Sequence, residues 1–255
     1  MGVADRDDMT AEGRQASNGA ARWPEIDAVT TWIIVGCIAA YIIDRLLRVR
    51  GFRYFVQVID HAGDVDRSIT YDFAPLSYWG HFSALTAVLD LQVWRFITYQ
   101  FLHANLDHLI FNMVALYFFG PMVESYLTSR QYGVYYLLCG VGGAILYVLM
   151  LLAHWQIGSM GVPLIGASAG IFGVLIAATL IAPRAEALVL GVLPIPLRTL
   201  AWLFIAYAVF TVLFRGGNAG GEAAHLGGAA MGWVLMRYPW IVERIAWFGK
   251  RAPPF

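Results

Sequence analysis

Three groups of polar residues stand inside otherwise apolar stretches of the chain. They are His103, His108 and Asn112; Ser168 within GASAGIFG at 166–173; and His225 within AHLGGAAMG at 224–232. Polar side chains in such surroundings are costly in hydrocarbon and therefore point to function. A serine with a histidine in reach is the pairing of nucleophilic catalysis, because a hydroxyl is a weak nucleophile until a base takes its proton. Each group alone also has a plainer reading. Ser168 lies among Gly166, Gly170 and Gly173, which suits close helix packing. His108 and Asn112, at i and i+4, share a helix face and could bond each other or a neighbouring backbone. His103 and His108 could bind a metal, but no third ligand is spaced to match, so neither a metal nor a cofactor is expected. Other proteolytic chemistries lack their parts. There is no HExxH. A pair of aspartates within the apolar stretches is also missing: Asp44 and Asp107 stand singly, and Asp64 and Asp72 fall in a polar connector.

These residues need elements to hold them, and the composition says which kind. Of 255 residues, 59% are hydrophobic and 13% charged, with a mean hydropathy of +0.63; a soluble domain carries about a quarter charged. Several membrane spans follow. The net charge is zero, with no basic field, so no nucleic-acid partner is expected. Cys37 and Cys139 lie in apolar runs and read as packing residues rather than a disulfide. The fold class is all-α and polytopic. Spans are expected at 29–47, 105–123, 131–153, 168–182, 197–214 and 223–236, within one membrane domain at 29–240. Pro194 and Pro196 mark the start of the fifth. Residues 48–103 form a long membrane-associated first loop, whose stretch 78–89 suits the interface by its Tyr and Trp. Residues 1–28 read as a polar mobile tail rather than a cleavable signal, and 241–255 as a second short cytosolic tail.

Parity brings the three groups together. They lie near the N-terminal ends of spans two, four and six, and even-numbered spans all start from the same face of the membrane. Length places them below the surface. The stretch 168–182 is a helix of about 22 Å, against a hydrocarbon core about 30 Å thick, with Arg184 anchoring its far end. The uncharged stretch 155–167 leading to Ser168 can dip into the membrane where it lines a wet cavity. With a cytosolic N-terminus, the basic residues divide ten inside to seven outside, the direction of the positive-inside rule. The cluster Arg45, Arg48, Arg50 and Arg53 opposes it.

Over residues 90–235 the chain resembles the rhomboid intramembrane serine proteases. Trp94-Arg95 resembles the Trp-Arg motif of their first loop. HANLDHLIFNM at 103–113 resembles their His-x4-His-x3-Asn pattern. GASAGIFG resembles the GxSx motif, and AHLGGAAMG the AHxxGxxxG motif, with Gly228 and Gly232 at the two glycine positions. The resemblance implies Ser168 as nucleophile, His225 as general base, and His108 and Asn112 as donors to the oxyanion. It implies Trp94, Arg95 and His103 as structural supports, Glu124 as a loop anchor, and Phe172 as a ring stacked on the histidine. The implied partners are transmembrane protein substrates and membrane lipid. The expected location is the plasma (inner) membrane of a prokaryote, with the N-terminus cytosolic.

Two positions depart from the family pattern: Ala169 where Gly is frequent, and Phe172 where Tyr is frequent. Neither removes a reacting group. No carboxylate lies within the spans of Ser168 and His225, and Glu222, three residues before His225, is expected at the membrane surface, where it would orient little. The expectation is therefore a Ser-His dyad. A silent relative that binds transmembrane clients is the alternative, and would lack the serine or the histidine; a small transporter is a third, without the inverted repeat that fold uses.

Overall fold

The computed structural model describes residues 28–60, 67–155, 158–189 and 192–248. The tail expected at 1–28 lies outside them except for Ala28. Helix α1 (Val29–Val49) leads into an antiparallel hairpin of β1 (Tyr54–Asp60) and β2 (Arg67–Phe73). Short helices α2 (Pro75–Gly80) and α3 (Arg95–Thr98) follow, separated by a π-helical turn at Leu85–Leu89. The remaining long helices are α4 (Leu106–Tyr126), α5 (Ser129–Leu152) and α6 (Ser168–Ile181). A second hairpin, β3 (Glu186–Val189) with β4 (Leu193–Pro196), precedes α7 (Leu197–Leu213), α8 (Ala219–Arg237) and the short α9 (Trp240–Ala246).

A long helix stands at each of the six expected spans. α4 and α5 are long and apolar enough to cross a membrane by themselves; α6 and α7 are apolar but shorter. Local signals set the starts. Asn105 caps α4 by accepting from the His108 N–H at 2.8 Å. Thr128 and Gln131 close a capping box on α5. Outward faces carry exposed apolar side chains such as Phe118, Trp202 and Phe210, the pattern of a surface that meets lipid rather than water.

The protein is mostly helical, but the two hairpins correct the all-α expectation. β1 reads YFVQVID and β2 RSITYDF, rich in the branched and aromatic residues that suit a pleated surface. The basic cluster is partly consumed there: Arg48 and Arg53 both pair with Asp72, and the hydrogen bond from Arg53 holds that carboxyl below its ordinary range. Pro194 and Pro196 lie in β4, just before α7 rather than within it. Asp44 also has work: its carboxylate accepts from the Leu76 and Ser77 N–H groups at 2.7 and 2.8 Å, fastening α2 to α1. The expected tail at 241–255 begins as α9, whose Val242 and Ala246 are buried, with Val242 in the main apolar core.

The core centres on α5, where Tyr132, Tyr135 and Tyr136 are fully buried. A buried hydroxyl needs an acceptor, and Tyr135 donates to the Gly173 carbonyl of α6 at 2.8 Å. Cys37 and Cys139 are buried and free, as packing residues should be.

Candidate active site

Ser168 is the first residue of α6, and His225 lies seven residues into the described length of α8. Their contact depends on how closely the two helices approach. A Cβ built on Gly228 would lie 2.0 Å from the Ala169 carbonyl oxygen, and one on Gly232 would lie 2.7 Å from the Gly173 Cα. Only glycine admits backbones so near each other. The result is a hydrogen bond between Ser168 Oγ and His225 Nε2 at 2.7 Å. Phe172, one turn after Ser168, stacks on the imidazole with centroids 4.4 Å apart and planes within 11°. Both groups line a cavity of about 910 Å³ that also reaches His108, Asn112 and Gly166.

Gly166 has φ +135°, a conformation side chains rarely adopt. A Cβ there would meet the His108 ring at 2.8 Å and stand 3.5 Å from Ser168 Oγ. The glycine thus lets the His108 imidazole edge come beside the serine. Asn112 shares that wall and is held by its own helix, donating from Nδ2 to the His108 carbonyl at 3.0 Å. The first N–H groups of a helix have no intrahelical acceptor. The N-terminus of α6, His108 and Asn112 all border the same cavity as the serine. A developing oxyanion would be stabilised by such donors.

The residues expected as supports make the following contacts. Arg95 is buried and clamps the first loop, donating from one terminal nitrogen to the Tyr78 and His81 carbonyls at 3.0 and 2.5 Å and from Nε to Gln92 at 2.7 Å. Trp94 donates to the Trp79 carbonyl at 3.1 Å while its ring stays half-exposed. His103 is buried edge-on to His108, with centroids 5.0 Å apart; burial, then the neighbouring His108, pushes it down to about 3. Glu124, expected as a loop anchor, holds a helix start among the described residues. Its carboxylate caps α1, accepting from the Val29 N–H at 2.7 Å, the Thr30 N–H at 3.0 Å and the Thr30 hydroxyl at 2.7 Å. Four unpaired N–H groups at a helix start explain why a carboxylate sits there.

A larger correction concerns Glu222. It is not a solvated surface carboxylate. Only 5% of it is exposed, and Oε2 lies 2.8 Å from His225 Nδ1. Its other oxygen accepts from Asn218 Nδ2 at 3.4 Å. The spacing of three residues on one helix follows from the sequence, while hydropathy alone assigns Glu222 to water. Also unforeseen were the cavity walls supplied by Ile69 and Tyr71 of β2.

The Rhomboid domain family model matches residues 90–241. RHOMBOID-like protein 2 of Arabidopsis thaliana is 36% identical over 74 residues, 29% of this chain and 23% of the relative. The same plant's mitochondrial RHOMBOID-like protein 12 is 27% identical over 55% of this chain and 46% of its own. Its chloroplastic Rhomboid-like protein 11 is 25% identical over 82% of this chain and 65% of its own. The chain thus spans less than two thirds of the length of each. These relatives, two of them named for plant organelles, do not fit the expected prokaryotic inner membrane.

Proposed function

The chain belongs to the rhomboid family, and on that premise we propose that it is an intramembrane serine endopeptidase that cuts transmembrane proteins within or beside their spans. The observation that carries the reading is the 2.7 Å contact between Ser168 Oγ and His225 Nε2 at the wall of a cavity. Ser168 attacks the scissile carbonyl and its proton passes to Nε2. His108, Asn112 and the Ser168 N–H receive the negative charge that builds on the carbonyl oxygen. The C–N bond breaks as Nε2 returns the proton to the leaving amine. Water then attacks the acyl-enzyme, giving its proton to Nε2, and Ser168 leaves with a proton as the acid product departs.

The helices at the six expected spans are read as six crossings, with the N-terminus cytosolic and the cavity open toward the opposite face. Their exposed apolar faces support the crossings. The shortness of α6, whose 14 residues make about 21 Å, less than a bilayer core, supports a position of Ser168 below the surface. A fluorophosphonate probe tests the chemistry. Labelling of the native protein that disappears in Ser168→Ala is expected. Absence of labelling in native protein would overturn the reading and favour a client-binding protein without catalysis.

A further inference from the structure

We infer that Glu222 is the positioning residue of this site, completing a Glu222–His225–Ser168 relay in place of a two-residue dyad; this rests on the proteolytic reading above. The geometry is continuous. Glu222 Oε2 lies 2.8 Å from His225 Nδ1, and His225 Nε2 lies 2.7 Å from Ser168 Oγ. The two contacts use opposite nitrogens of one ring. A carboxylate accepts hydrogen bonds and has no proton to give. With Glu222 ionised, the contact puts the ring proton on Nδ1, which leaves the Nε2 lone pair facing the serine hydroxyl. That is the tautomer a general base must have.

The carboxylate is also fixed. Glu222 and His225 are three residues apart on α8, so the helix sets their separation. Asn218 holds the second oxygen. The Glu222 side chain is 7% exposed and the His225 side chain 17%, so little water competes for either. A carboxylate in the first turn of a helix is usually a dipole partner for free N–H groups. Here both oxygens are taken by side chains, one of them the base itself. When Nε2 takes the serine proton, the imidazolium forms beside a buried negative charge. Phe172 stacks on one face of the ring and restrains its tilt. It supplies no charge, so the two contacts do different work.

The test compares native protein, Glu222→Gln and Glu222→Asp in the full chain. Two rates are read: cleavage of a transmembrane substrate, resolved into kcat and KM, and the second-order rate of Ser168 labelling by the fluorophosphonate. Glutamine has the size of glutamate but can offer Nδ1 a donor, which favours the wrong tautomer. A hydrogen bond to a charged group accounts for about tenfold. The amide variant of a serine protease whose aspartate has this role loses about 10⁴ in kcat. Glu222→Gln should therefore lower kcat and labelling together by about 10-fold to 10⁴-fold, with KM within about threefold of native. Glu222→Asp, which keeps the charge, should label at least tenfold faster than Glu222→Gln. A loss under tenfold in Glu222→Gln would overturn the inference, as would equal losses in Glu222→Gln and Glu222→Asp. If Glu222→Gln misfolds, Glu222→Asp alone decides: labelling above 1% of native supports the relay and labelling below it overturns it. Failure of the native protein to label would instead remove the proteolytic reading itself.

Discussion

The substitution Gly228→Ala tests how α6 and α8 hold their distance. The alanine Cβ would lie 2.0 Å from the Ala169 carbonyl oxygen, a backbone atom with no rotamer to escape into. Ordinary contact begins near 3.4 Å, so α8 must withdraw from α6 by as much as 1.4 Å, the difference of those two values. His225 sits one turn before Gly228, on the same face. The same withdrawal would stretch the 2.7 Å bond between Nε2 and Oγ toward about 4 Å, past the reach of a hydrogen bond. A displacement of 1 Å from productive geometry costs about 10²-fold in rate, and overpacking a tight interface costs about 1–3 kcal/mol. Gly228→Ala should therefore lose about 10²-fold in kcat and label slowly with the fluorophosphonate, while the protein stays folded with a lower Tm. Cleavage of a transmembrane substrate by purified protein in detergent, beside a thermal melt, measures both. A variant with native kcat and native Tm would refute the argument, because the helices would then have room that the geometry denies.

Removing one oxyanion donor costs roughly 10²–10³ in kcat, so Asn112→Ala should lower kcat far more than it raises KM; a normal kcat would make Asn112 a packing residue. Cysteines placed at residues 15 and 160 in the membrane should react from opposite sides, with 160 reached from the non-cytosolic face; labelling of 15 from that face would invert the topology. Acid should loosen the first loop. Burial pushes His81 down to about 4, against the opposing effect of its hydrogen bond to the Ser77 carbonyl, from an ordinary value of 6.5. A depressed folded value means that stability is complete above about 6.5 and is lost as the pH falls toward 4. Tm should decline across that window in native protein and decline less in His81→Gln; parallel curves would remove His81 as the cause.

What the sequence made legible follows from what each signal encodes. Apolar stretches long enough for several turns favour helices, and a helix stands at each of the six, with ends within a few residues. Parity speaks only to which ends share a face; that His108, Asn112, Ser168 and His225 line one cavity is a matter of packing. Hydropathy was blind to the first hairpin because Tyr54–Asp60 and Arg67–Phe73 mix charge with aromatic and branched residues. Averaged over a window, that mixture reads as a polar connector; only its alternation marks a strand. Glu222 escapes hydropathy for a related reason. One-dimensional hydropathy treats charge as exposure and so assigns a charged residue near a helix start to water. Yet a carboxylate is tolerated in a buried position when both oxygens have donors, and such donors are local. Asn218 and His225 flank Glu222 at four residues before and three after, so all three share a face of α8 once it is helical. The residue types and spacing that bury Glu222 were therefore present in the sequence. Local donors that neutralise a carboxylate, and not its distance from the surface, decide whether it is buried.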